Sequence, residues 1–209
     1  MEPLANPGFD ILQTRLYRPQ LPINLLARPD LLKMLDFTPS KVLTLITAPA
    51  GFGKTTLVSS RLGEMQCTED QPKPDCLPSA WLAIDENDQN YILFLRHFIA
   101  ALRKIFPGVL PETYKLVFKA SAIDPELISL VLTNEIAAIS QRFVMVLDDF
   151  HRADCPQLLE LLSGWSRHWP LPMHLVIISR TQPPLPLAGL KNQGRINDIC
   201  AKDLRFSPQ

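Results

Sequence analysis

The chain lacks an excess of either charge: 21 lysines and arginines balance 21 aspartates and glutamates over 209 residues. Domains that bind nucleic acid directly carry a basic surplus, so no direct DNA contact is expected from this segment. No run of 18 apolar residues is present, and no charged start leads into an apolar h-region. Neither a membrane span nor a secretory signal is therefore expected, and the expected location is cytoplasmic. Cysteine is sparse. Cys67, Cys76, Cys155 and Cys200 form no C-x-x-C pair, and the four histidines do not cluster beside them. That excludes the tight ligand spacing of a zinc site and leaves reduced thiols as the expectation. There is no internal repeat and no low-complexity segment.

Proline, by contrast, is abundant. Its 20 residues are about twice the usual share. Several lie in connections such as DQPKPDCLP and RTQPPLPL. Apolar residues make up 46%, enough for a sizeable core in one large domain. Residues 1–22 read as an extended lead-in and 23–209 as the domain proper.

Strands alternate with helices along the domain. LLARPDLLKMLDF reads as a short helix, with Pro29 in its first turn. Lys41–Thr47 is a strand apolar on both faces, as in a buried parallel sheet, and KTTLVSSRLGEM continues as a helix. After a polar loop over 66–78, Ser79–Ile84 is the second strand and DENDQN a turn. YILFLRHFIAALRKIF is amphipathic: Tyr91, Phe94, Leu95, Phe98, Leu102 and Ile105 recur at helical spacing. Asp124-Pro125 opens a helix to about Ser140. Phe143–Asp148 is the third strand, PQLLELLSGWSRHW a helix, His174–Ser179 the fourth strand, and INDIC a weaker fifth. This order implies an α/β fold with a parallel sheet and right-handed crossovers.

The stretch TLITAPAGFGKTTLV carries the chemistry. The Walker phosphate-loop pattern is G-x-x-x-x-G-K-[ST]. Here Ala48 stands at its first position, and Gly53, Lys54 and Thr55 close it. A small alanine suits that first place if its φ stays negative, while Gly51 and Gly53 keep conformational freedom nearer the phosphates. Backbone N–H groups of Ala50, Gly51, Phe52, Gly53, Lys54, Thr55 and Thr56 converge on phosphate oxygens at a helix N-terminus. Lys54 adds a full charge, and the Thr55 hydroxyl ligates Mg²⁺.

FVMVLDDFH supplies the second element. Asp148, ending an apolar strand, fits the metal role. Asp149 fits the acid that polarises an attacking water, although it is one methylene shorter than the commoner glutamate and a base must reach within about 3 Å of its water. The bland alternative is an Asp pair capping the loop. His151 reads as a hydrogen-bonded loop histidine. Arg180 lies just past the fourth strand, on the sheet edge where ligands of such folds bind, and fits a γ-phosphate sensor. Asp85, Glu86 and Asp88 read as a turn capping the next helix, and Trp81 as core. Arg28, just before the first strand, is a candidate neighbour of the adenine.

Together, LLARPDLLKML, LTLITAPAGFGKTTLVS, AWLAIDENDQNYILFLRHFIAAL, VMVLDDFHRA, LVIISRTQPPLPLAGL and DLRFS resemble the nucleotide-binding domain of STAND signal-transduction ATPases. Within these, they resemble MalT-like, LuxR-type transcriptional regulators. The resemblance implies a three-layer P-loop NTPase fold, with a five-stranded sheet in the order 5-1-4-3-2 and helices on both faces. It also implies ATP or ADP as ligand, Mg²⁺ at Thr55 and Asp148, Arg180 as sensor and Arg28 against the adenosine. Such regulators self-associate when ATP-bound, hydrolyse ATP slowly, and read DNA through a C-terminal domain. Their winged-helix, sensor and helix-turn-helix regions are absent from this sequence, as in an excised domain or a naturally short protein. The expected function is an ATP-binding switch domain with weak hydrolysis, with Lys54 and Asp149 as its catalytic groups. The alternatives are a stand-alone P-loop phosphotransferase acting on a small molecule and a pure interaction module without nucleotide.

Overall fold

Period-two alternation along three central strands sends their side chains to two separate cores. In the computed structural model, which describes residues 11–22, 24, 28–65, 76–119 and 124–205, the strands are β1 (Leu43–Thr47), β2 (Ser79–Ala83), β3 (Phe143–Asp148), β4 (Met173–Ser179) and β5 (Ile196–Cys200). All pairings are parallel, in the order β2-β3-β4-β1-β5. Read from the other edge, this is the expected 5-1-4-3-2, the three-layer P-loop arrangement. Leu43, Leu45, Leu147, Leu175 and Ile177 face one core. Ile46, Val144, Val146, Val176 and Ile178 face the other. β5 is an edge strand with only Ile199 buried, which accounts for its weak sequence pattern.

The helices are α1 (Pro29–Met34), α2 (Lys54–Glu64), α3 (Tyr91–Ile105), α4 (Pro111–Lys119), α5 (Pro125–Ala137), α6 (Pro156–Arg167), α7 (Ala188–Asn192) and α8 (Ala201–Leu204). α3 starts where the Asn90 side chain accepts from the N–H groups of Ile92 and Leu93. It buries Tyr91, Phe94, Leu95, Phe98 and Leu102 of the expected stripe and half-buries Ile105, with Phe98 against Trp165 of α6. Asp124 caps α5 in the same way, and Pro125 takes the first helical place. α1 and α2 cover the opposite face through Leu31, Leu57, Val58 and Leu62.

α4 has no expectation behind it. Its cap is tertiary: the Glu135 carboxylate of α5 accepts from the N–H groups of Glu112 and Thr113, at 2.8 and 2.9 Å, and from the Thr113 hydroxyl. A cap supplied 22 residues downstream leaves no local signature. The lead-in also departs from an extended form. Gln13–Leu16 make a 3-10 turn, and Leu16 enters the first core. Residues 1–10 and the loop stretch 66–75 lie outside the described residues. Cys155 and Cys200 are free thiols as expected. Cys76 is disulfide-bonded, a correction to four reduced cysteines; ligand spacing tests for a metal site and is silent on a thiol pair. Among the described residues no helix is long and apolar enough to cross a membrane.

Candidate functional site

The loop from Ala48 to Gly53 joins the end of β1 to the start of α2. Gly51 (φ 83°) and Gly53 (φ 73°) both lie in the left-handed region. A Cβ at either would meet no atom within 4 Å, so backbone conformation and not space demands glycine there. Ala48, the departure from the glycine pattern, is buried in the second core and has no positive φ, the condition under which alanine suits the place.

Lys54 is buried, and its Nζ donates to the carbonyls of Ala48 at 2.7 Å and Pro49 at 2.9 Å. The ammonium thus spans the loop it closes. Burial lowers its pKa, against the charges of Asp149 and Asp148. The Thr55 hydroxyl donates to Asp148 Oδ1 at 3.1 Å, and the Asp149 N–H donates to the same oxygen at 2.9 Å. Even so, the Asp148 carboxyl is pushed up to about 6, first by burial and then by the Asp149 charge. A buried carboxylate with two donors among the described residues is a place where a cation relieves a real cost. No group of three or more His, Cys, Asp or Glu gathers among the described residues. The Thr55 hydroxyl and the Asp148 carboxylate are adjacent oxygen donors, the kind Mg²⁺ takes while keeping several waters.

Asp149 holds a left-handed conformation (φ 56°, ψ 36°), uncommon outside glycine and costing on the order of 1–2 kcal/mol. Its carboxylate is 44% exposed and reaches a cavity of about 360 Å³ at the strand ends. That cavity brings together Ala50, Gly51, Gly53, Lys54, Thr55 and Thr56 with Asp149 and Arg180. A larger cavity, about 460 Å³, lies between α5 and α6. Its lining comes from two helices and holds no loop of left-handed glycines at a helix start, so the strand-end cavity is the candidate site.

Three expected site residues do not line it. Asp148 sits beneath, held by Thr55. Phe52 packs its ring on the second core, leaving only its backbone for a ligand. Arg28 donates to the carbonyls of Leu204 at 2.7 Å and Arg205 at 3.0 Å, satisfying the C-terminal end of α8, where carbonyls lack helical donors. Trp81 is core as expected. His151 departs from a hydrogen-bonded loop histidine. Its Nδ1 is buried without a hydrogen-bond partner among the described residues, 3.9 Å from Asp149 Oδ1, and burial lowers its pKa.

Sequence reasoning missed two further features. The hydroxyls of Thr47 and Ser179, neighbours in register at the ends of β1 and β4, are buried with no hydrogen-bond partner among the described residues. A hydroxyl residue closing each apolar strand was the available signal. The other is Arg15, which reaches the acidic turn after β2.

No family model matches the chain. Over 199 residues, 95% of its length, it is 29% identical to the HTH-type transcriptional regulator MalT of Serratia proteamaculans. The similarity to MalT runs over nearly the whole length of the chain. Against MalT of Vibrio parahaemolyticus it is 27% identical over 198 residues. It spans about a fifth of the length of these MalT relatives, 21% in each case. Among solved structures, Cdc6p from Pyrobaculum aerophilum superposes with a TM-score of 0.56 at 17% identity, over 88% of this chain and 47% of that one. This likeness is one of fold.

Proposed function

We propose that the chain is the ATP-binding switch domain of a MalT-like, signal-responsive transcriptional regulator, acting in the cytoplasm. The observation that carries this is the strand-end cavity. There, a loop with two left-handed glycines, a buried ammonium, a hydroxyl and an acid meet, with the buried Asp148 carboxylate held by that hydroxyl. In this reading, loop N–H groups and Lys54 bind the phosphates of ATP or ADP. Thr55 and Asp148 hold Mg²⁺, which supplies charge neutralisation on the phosphates when bound. Arg180 meets the γ-phosphate from just past β4, and Arg28 borders the adenosine. Asp149 takes the proton of an attacking water.

In this reading, nucleotide acts first on Lys54. Its ammonium is held by loop carbonyls, so phosphate binding exchanges two neutral acceptors for charged ones. The switch is a population shift: ATP favours an associating form only as far as it binds that form better. Self-association and DNA reading belong to the longer regulator, with DNA contacted by a region outside this chain.

Steady-state phosphate release in the parent and in Asp149→Asn tests the assignment. Nucleotide affinity is expected to persist while turnover falls by about 100-fold. Equal turnover overturns Asp149 as the water-activating acid. Phosphate appearing on an added small-molecule acceptor instead of in solution would replace the switch by a phosphotransferase.

A further inference from the structure

Two stretches that the cavity does not use, the lead-in and the acidic turn after β2, meet in the fold. Arg15 is only 8% exposed. Its Nε donates to the Ala83 carbonyl at 2.7 Å, its Nη1 lies 3.2 Å from Asp85 Oδ2, and its Nη2 pairs with the fully buried Asp88. One planar guanidinium thus serves three acceptors, a geometry that lysine does not reproduce. His97 closes the cluster. Its Nδ1 donates to the Leu93 carbonyl at 2.9 Å, and its Nε2 accepts from the Leu12 N–H at 3.4 Å. Farther along, Lys104 donates to the Leu16 carbonyl at 3.1 Å and Ser59 to the Pro19 carbonyl at 2.6 Å. Lys104 is on α3 and Ser59 on α2, on opposite faces of the sheet. The segment therefore wraps around the edge strand β2.

The acidic turn adjoins the site directly. The Asp85 N–H donates to Asp88 at 2.9 Å, and the Ile84 N–H donates to the Asp148 carbonyl at 2.8 Å. Ala83, held by Arg15, stands opposite Asp148 in register. The turn Glu86–Gln89 packs on the turn Phe150–Arg152 that follows Asp149, and Ile84, Tyr91 and Phe150 share the first core. Without Arg15, Asp88 becomes a buried charge without its cation, and the turn must open to solvate it.

We infer that Arg15 is a positioning residue for Asp148 and Asp149. It pins the acidic turn against the strand-end turn, so that residues 12–16, 84–90 and 148–152 open and close as one unit. The coupling stands on the geometry above. Its effect on Mg-ATP rests on the proposed roles of Asp148 and Asp149.

Hydrogen exchange of the nucleotide-free chain under rising denaturant tests the coupling, since cooperative units share one opening transition. The three segments are expected to share a midpoint in the parent. Arg15→Lys and Asp88→Asn are each expected to speed exchange in all three by about tenfold or more, with residues 173–179 unchanged. Separate midpoints in the parent overturn the inference, even if both variants fail to fold. So does faster exchange confined to 12–16. A second arm measures ATP affinity with and without Mg²⁺. In Arg15→Lys the gain from Mg²⁺ is expected to shrink by about tenfold while Mg-free affinity stays within about threefold. An unchanged gain overturns the positioning role. A parent that binds no ATP overturns the proposed function and leaves the exchange result to decide the coupling.

Discussion

β1 and β4 carry polar residues at both ends, and the two ends treat them oppositely. At the N-terminal end the Thr44 hydroxyl meets His174 Nε2 at 2.8 Å, His174 Nδ1 meets the Lys41 carbonyl at 3.0 Å, and Asn197 donates to Thr44 at 3.0 Å and to the Asp36 carbonyl at 2.7 Å. At the C-terminal end Thr47 Oγ1 and Ser179 Oγ have no partner, Asp148 is a buried acid, and Asp149 sits in a left-handed turn. A closed polar network rigidifies a fold. Buried polar groups left open, beside a strained residue, mark the end where a ligand belongs.

The sharpest way to break this comparison is Lys54→Ala. Triphosphate affinity is expected to fall by roughly 100-fold, about 3 kcal/mol, in a titration with a fluorescent ATP analogue. The nucleotide-free fold is expected to be no less stable, because a buried ammonium is removed.

The two ends also answer pH with opposite signs. Burial holds His174 down at about 4, so its neutral form is the folded one. Stability from this group is full above its ordinary 6.5 and is lost as pH falls toward 4, by on the order of 3 kcal/mol. Asp148 is raised to about 6, so its contribution is full below its ordinary 3.8 and is lost as pH rises through about 6. Asp148→Asn is thus expected to stabilise the nucleotide-free chain at pH 7 by about 1–3 kcal/mol, while His174→Gln flattens the acid limb. Urea unfolding of the parent and both variants from pH 4 to pH 8 checks both signs.

The smallest effect is the cleanest contrast. Thr44→Val leaves His174 and Asn197 short of a partner and is expected to cost about 1–3 kcal/mol. Thr47→Val removes a hydroxyl without a partner and is expected to change stability by less than about 0.5 kcal/mol. Equal losses would erase the distinction between the two ends.

Much of this was legible in the sequence, and the reason is locality. The strand–loop–helix of the phosphate loop, the Asp124 cap and the apolar face of α3 are written within a few residues. Lys54, Thr55, Asp149 and Arg180 come together because parallel strands place their ends side by side. What was hidden depends on partners far along the chain. Glu135 caps α4 from 22 residues away, Arg15 meets Asp88 from 73 residues away, and Arg28 reaches Leu204 across 176. No periodicity or spacing rule links such pairs.

Calorimetric titration with Mg-ATP tests the central claim most directly, run on the parent and on Lys54→Ala. The expected result is one saturable site in the parent and loss of most of that affinity in the variant. A parent that takes up no Mg-ATP, or a variant that binds it as tightly, would contradict the account.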